Sequence, residues 1–347
     1  MSSVVVTGNA SLADSTVAEE LYVVGVAKVD ITPDYPVRLS GFGFRREESD
    51  GVLAPIYARA LAIGSDEQGP LILITVDSTG VSQQLVNDVA KELHTDGIAP
   101  ERIAIAATHT HTAPMLTGVL PTLFGQPIPA AHQEHIRQYT SDLTAKLVQA
   151  AREALKDRKP STLWWGAGEL AISKNRRNPE GGPVDHGLPV LVVKSREGQP
   201  RAILSTYACH AVTLSHNLIG GDWPGFASDA IERQHPGVVA MISIGCGADQ
   251  NPIPGVVGDK VEVAESQGLE YAAAVKQVLG NAMRPISGPL NAKVERFALP
   301  LADLPPREHW EERAKKGSYI GYHAEVQLET LDRGESLPTA VDYSTHT

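Results

Sequence analysis

His109 and His111 stand one residue apart in AATHTHTAPML (residues 106–116), directly after the apolar run RIAIAA. Side chains alternate along a strand, so an extended backbone would project both imidazoles from one face. Imidazole is a common zinc ligand, and a catalytic zinc usually takes three protein ligands and leaves one position for water. Two histidines are an incomplete set, and a bare His-x-His also fits a structural or surface role. A third imidazole closes another apolar run, where RAILSTYA ends in Cys209-His210, and a further run, VVAMISI, opens into GCGADQNP. In α/β sheets ligands bind in the crevice beyond the strand ends, where three such ends can meet. Neighbours on a strand face opposite ways, so Cys209 reads as a small buried side chain rather than the partner of His210 in a nucleophilic pair.

The elements that must carry these residues follow from periodicity. LYVVGVAKVDITP, ARALAIGS and LILITVDSTG read as strands, the first closed by Pro33. VSQQLVNDVAKEL places Val81, Leu85, Val89 and Leu93 at helical spacing, and HIRQYTSDLTAKLVQAAREAL does the same with Ile136, Tyr139, Leu143, Leu147 and Leu155. LPVLVVKSREGQPRAILSTYACH is two apolar runs around Glu197-Gly198, a hairpin signal. In GGDWPGFASDAIERQ, Asp222 is a candidate N-cap with Pro224 in the first turn. VEVAESQGLEYAAAVKQVLGNAM is a further helix that Gly268 should weaken. One of Trp164 and Trp165 belongs in a core. Alternating strands and helices imply an α/β fold of layered mixed sheets flanked by helices.

Composition narrows the function classes. The chain has 347 residues, 42% hydrophobic, with a formal net charge of -11. It can bury a large core, and its basic residues are too scattered for nucleic acid. Cys209 and Cys246 are the only cysteines, so disulfides do not frame the fold. No apolar run reaches the roughly 18 to 20 residues of a membrane span. Residues 1–20 read as a disordered leader without a clear signal peptide, and residues 21–347 as one domain. No phosphate-loop or dinucleotide fingerprint occurs.

The segments VGVAKVDITP, LSGFG, YARAL, VDS, ATHTHTAP, NRRNP, ACHAVTL, GDWPGFAS and GCGADQNP, in that order, resemble the neutral/alkaline (non-lysosomal) ceramidase family over residues 23 to 300. The resemblance implies a zinc-dependent hydrolase of N-acyl amide bonds, cleaving ceramide to sphingosine and a fatty acid. It implies zinc ligands at His109 and His210, a substrate contact at His111, and Arg176 in the loop that approaches the substrate. It also puts Asp222 among the substrate-binding residues of the cleft, although its cap reading stays open beside this.

Two departures qualify the match. The family's loop after the central buried strand contains a serine, whereas GADQNP offers Asp249, Gln250 and Asn251. A water activated on zinc can attack an amide without a serine; Asp249 is then a candidate to orient water and Gln250 to contact substrate. The family completes its zinc site with a downstream glutamate and tyrosine near a Leu-Pro-Gly-Glu-like motif, and LPTAVDYSTHT has none. The chain is therefore expected to be incomplete at its C-terminal end. Three readings remain: a ceramidase, a hydrolase of a non-sphingoid acyl amide, and a silent ligand-binding module. The expected partner is a small lipid or acyl-amide substrate, with peripheral contact to lipid. Export or a periplasmic location is what the family suggests.

Overall fold

A computed structural model describes residues 20–346, with no account of the His346 side chain. The expected leader, except Glu20, lies outside the described residues. In chain order the elements are β1 (Tyr22–Asp30), β2 (Gly51–Val52), β3 (Tyr57–Ile63), β4 (Leu71–Val76), α1 (Gln83–His94), β5 (Ile103–Ala107), α2 (Ala130–Lys156), β6 (Lys159–Glu169), β7 (Ser173–Asn175), β8 (Gly187–Ser195) and β9 (Pro200–Tyr207). They continue with β10 (Leu218–Ile219), α3 (Asp222–Gln234), β11 (Val239–Ile244), β12 (Gln250–Pro252), α4 (Val261–Gly280), β13 (Arg284–Ile286), β14 (Val294–Pro300), α5 (Arg307–Ala314), α6 (Ser318–Asp332) and β15 (Ala340–His346).

Nine strands form one mixed sheet in the order β11-β9-β8-β6-β1-β3-β4-β5, with β13 added on β6. The pairs β11/β9 and β4/β5 are parallel, and the pairs between them are antiparallel. Period-two alternation sorts side chains into three cores. Tyr22 and Val24 of β1, Leu61 of β3, Val193 of β8, Ala202 of β9 and Met241 of β11 share an inner core. Their neighbours Ala27, Val29, Ala58 and Ala60 face outward onto α1 and α2. Val190, Val192, Ile203, Ala240 and Ile242 face outward onto α3 and α4. β11 approaches β3, β4 and β5 across the inner core. The sheet therefore folds over on itself, and helices cover both outer faces. Each fully buried Leu, Ile or Val in these cores contributes about 1.5–3 kcal/mol of transfer free energy.

Local chemistry sets the element ends. Ser82 Oγ accepts from the Leu85 backbone N–H at 3.2 Å and starts α1, a cap worth about 1 kcal/mol. The α2 residues Ile136, Tyr139, Leu143 and Leu147 are all buried. Gly268 does not merely weaken α4: a Cβ there would lie 2.6 Å from Phe226 Cβ and 2.7 Å from the Ala227 nitrogen, so glycine lets α3 and α4 touch. Trp164 packs on the α3/α4 core, while Trp165 is exposed. β14 and β15 make a separate antiparallel ribbon. Among the described residues, no helix is long and apolar enough to cross a membrane.

Candidate metal centre

Parallel pairing brings together the C-terminal ends of β4 and β5 and, separately, those of β9 and β11, and the loops that follow the two pairs meet to build the site. A parallel bridge joins Thr110 to Ala211, with the His111 N–H donating to the Ala211 carbonyl at 3.1 Å. The alternating Thr-His-Thr-His-Thr run has a division of labour. Thr108, Thr110 and Thr112 are buried, and the Thr110 and Thr112 hydroxyls donate to the Gly220 carbonyl at 3.1 and 2.8 Å. The two imidazoles point the other way. The expected extended backbone does not persist, because His109 adopts φ +58. That left-handed geometry is uncommon outside glycine, although histidine, asparagine and aspartate adopt it more readily than other residues, and here the bond from its ring to the Thr79 carbonyl helps hold it.

His109, His111 and His210 each bring one ring nitrogen within 4.8 Å of the others. Ring centroids are 4.9 Å apart for His109–His111 and 4.7 Å for His109–His210. The His109 Nδ1–H donates to the Thr79 carbonyl at 2.6 Å, and the His210 Nδ1–H donates to the Gly247 carbonyl at 2.7 Å. With Nδ1 protonated, each ring must present the lone pair of Nε2 to the shared space. Backbone-held imidazoles of this kind are the usual support of metal-ligating histidines. The Nε2 atoms of His109 and His111 are 3.3 Å apart. The three rings lie close enough to surround one ion, with the carbonyl-held His109 and His210 presenting their Nε2 lone pairs to it.

Electrostatics favour the same state. Burial holds the His111 pKa down to about 3, helped by His109, His210 and Arg45, and holds His210 down to about 4. His109 is lowered too, chiefly by burial and then by the charge of Arg176. Neutral imidazoles are the form that binds metal.

The sequence candidates divide. Arg176 sits exposed on the lip of the site, its Nε–H on the Ala248 carbonyl at 3.0 Å, and its charge depresses the proton affinity of His109 and His210. Asp249 does not join the convergent groups: Oδ2 accepts from Asn175 Nδ2 at 3.0 Å, and its carbonyl accepts from the Arg176 N–H at 2.7 Å. Gln250 is buried rather than open to substrate. Its side-chain oxygen accepts from the Asp185 N–H at 3.2 Å, and its carbonyl accepts from the His210 N–H at 2.9 Å. Asp222 is 1% exposed and does not cap α3. Gly221 is the N-cap of α3. Asp222, at φ +52, turns its carboxylate back to the Leu214 N–H at 2.9 Å and the Trp223 N–H at 2.6 Å. Burial raises its pKa to about 6. Trp223 Nε1 then donates to the His210 carbonyl at 3.0 Å. Asp222 and Gln250 thus stand behind His210 and position it.

Several contributors were missed in the sequence. The carbonyls of Thr79 and Gly247 have no side-chain signature. Gly41, φ +89, lets the chain cross the His111 ring, since a Cβ would lie 2.4 Å from its Cγ. Buried Arg45 donates to the carbonyls of Ser40, His111 (2.6 Å) and His216 (2.7 Å), fastening three loops; its neighbours in LSGFGFRRE were the available signal.

The profile of the family described as neutral/alkaline non-lysosomal ceramidase, N-terminal, matches residues 22–243. Neutral ceramidase B of Dictyostelium discoideum is 25% identical over 234 residues, covering 61% of this chain and 32% of that protein. Neutral ceramidase from Pseudomonas aeruginosa has the same fold, with TM-score 0.73 at 18% identity over 94% of this chain and 60% of that one. A ceramidase complexed with C2 gives TM-score 0.69 at 21% identity over 84% and 48%. The chain therefore spans less than two thirds of the length of each of these relatives.

Proposed function

The chain belongs to the neutral/alkaline non-lysosomal ceramidase family, and from that premise we propose that it is a zinc-dependent amidase acting on ceramide-type N-acyl amides. The observation that carries the reading is the pair His109 and His210, brought from separate strand ends with each Nδ1 fixed on a backbone carbonyl. These two residues would hold zinc. Zinc, when bound, supplies a Lewis acid for the amide carbonyl and lowers the pKa of water toward about 7.

The chain's own residues supply the rest. In the metal-free chain His109 Nε2 presents a lone pair, so the 3.3 Å contact makes His111 Nε2 the donor; with zinc held by His109 that lone pair is taken and the His111 N–H is left free. His111 thus carries a proton facing the cluster, and it can donate to the amide oxygen as negative charge builds there. Arg45 fixes the His111 carbonyl, and Phe42 packs edge-on against its ring at 5.2 Å. Arg176 adds a fixed positive charge at the lip. Phe42 and Phe44, stacked at 5.4 Å, offer an apolar wall to an acyl or sphingoid chain.

The test loads the purified chain with zinc, washes it with a weak chelator and measures metal content and fatty-acid release from a short-chain N-acyl sphingosine. About one zinc per chain is expected, as for a site with an open fourth position. His109→Ala and His210→Ala should lose both zinc and activity. His111→Ala should keep zinc and lose about 10²–10³ in kcat, the usual effect of removing an oxyanion donor. Full zinc retention by His109→Ala would refute the ligand assignment. Zinc retention without cleavage of any N-acyl amide would leave the fold in a binding role.

A further inference from the structure

Beside the His cluster lies a groove of about 580 Å³, within the range of ligand pockets. Its near side is Phe44, which stacks on Phe42, the ring packed against His111. Leu120 and Leu123 continue the wall, and Tyr319 and Ile320 of α6 close it. The two sides meet tightly: a Cβ on Gly43 would lie 2.6 Å from the Leu123 carbonyl oxygen, and one on Gly125 2.6 Å from the Tyr319 nitrogen. Arg313 of α5 and His323 of α6 line the far part, and no carboxylate lines any of it.

The lining is mismatched to water in two ways. Phe44 is 62% exposed, Leu120 47% and Tyr319 62%, a contiguous apolar surface. Arg313 Nε and His323 Nδ1 are buried without a hydrogen-bond partner. Buried donors normally find acceptors, and a guanidinium beside an apolar wall favours a planar anion that can accept two N–H bonds. On a chain of formal charge -11, an anion needs such a local acid-free cation to bind at all.

We propose that this groove binds a long-chain carboxylate of the fatty-acid class, with its tail along Phe44, Leu120, Leu123 and Ile320 and its carboxylate on Arg313. An alkyl chain covers the exposed rings, each methylene adding to affinity. A carboxylate fills the donor fork that an alcohol would leave half empty, and an alkyl ammonium would be repelled. The groove shares Phe44 with the apolar wall proposed for the substrate, but carboxylate binding on Arg313 needs neither metal nor hydrolysis, so chelator separates its failure from failure of the amidase reading.

Isothermal titration of laurate and of dodecanol into the full chain, with chelator present to remove metal as another destination for the carboxylate, decides it. Laurate should bind at about one per chain and about tenfold more tightly than dodecanol, the worth of a charge-assisted contact. Arg313→Gln should weaken laurate about tenfold and leave dodecanol unchanged. Leu123→Ser should weaken both, with circular dichroism showing each variant folded. The proposal is overturned if folded wild-type chain gives no laurate binding, if dodecanol equals laurate, or if Arg313→Gln binds laurate as well as wild type.

Discussion

Two polar clusters lie two residues apart along the chain, one buried and one half-buried, and they are built on opposite rules. In one, Arg59 meets Asp77 at 3.0 Å and Glu232 at 3.7 Å, while Lys28 meets Glu232 at 2.6 Å. Cations and anions alternate, and Arg59 and Asp77 are each 1% exposed. In the other, two residues along the chain from Asp77, Thr79 receives His109, and three imidazoles converge with no carboxylate among them. The first cluster pairs opposite charges and ties β1, β3 and α3 to the residue after β4, with Arg59 Nε and Nη2 and Asp77 Oδ1 left without hydrogen-bond partners among the described residues. In the second, His109 and His210 are matched at their backs on carbonyls, His111 Nδ1 has no partner among the described residues, and the rings direct nitrogens at one another. That arrangement could hold a metal ion between the rings.

The contrast can be broken at its strongest point. Asp77→Ala leaves Arg59 buried beside a lost partner and should cost about 3–5 kcal/mol in denaturant unfolding, whereas the double variant with Arg59→Met should cost less than the two single changes combined. Additive costs would mean that the pair is not coupled.

Next in size is a pH effect confined to the second cluster. The folded pKa of His210, about 4, lies below the roughly 6.5 of an unfolded histidine, so the folded state binds fewer protons. Stability is full above that unfolded value and declines as pH falls toward the folded one, by about 3 kcal/mol for this group in the metal-free chain. Unfolding at pH 7, 5.5 and 4 in chelator, for wild type and His210→Gln, measures it; equal slopes would remove His210 as the source. Gly41→Ala forces a methyl against the His111 ring in a backbone region that favours glycine, and should cost about 2 kcal/mol while shifting the imidazole NMR signals of His111. The smallest effect belongs to the rim of the first cluster. Lys28 is 24% exposed, so Lys28→Ala should cost under about 1 kcal/mol in the same unfolding assay.

Much of the scaffold was readable because its period was. The alternation in YVVGVAKVD and the i, i+4 spacing of Leu85, Val89 and Leu93 became β1 and α1 with small shifts at the ends. The histidines were readable as residue types, and their meeting rests on a curl of the sheet that no local pattern encodes. Asp222 looked like a cap because its type and the following Pro224 fit one, and burial behind His210 outweighed that preference. Gln250 looked available because its loop is polar, yet β12 pairing with β7 turns it inward. The carbonyls that orient His109 and His210 belong to the backbone, which every residue shares.

The bridge between Thr110 and Ala211 joins segments about 100 residues apart, and His109 and His210 flank it. An ion coordinated by both would be a reversible cross-link across that span. Closing a loop of about 100 residues removes chain entropy worth about 4.7 kcal/mol from the unfolded ensemble, the same accounting used for a disulfide. A chain with two unpaired cysteines would thus acquire its staple from solution, and chelation would expose the whole fold to proteolysis rather than the site alone.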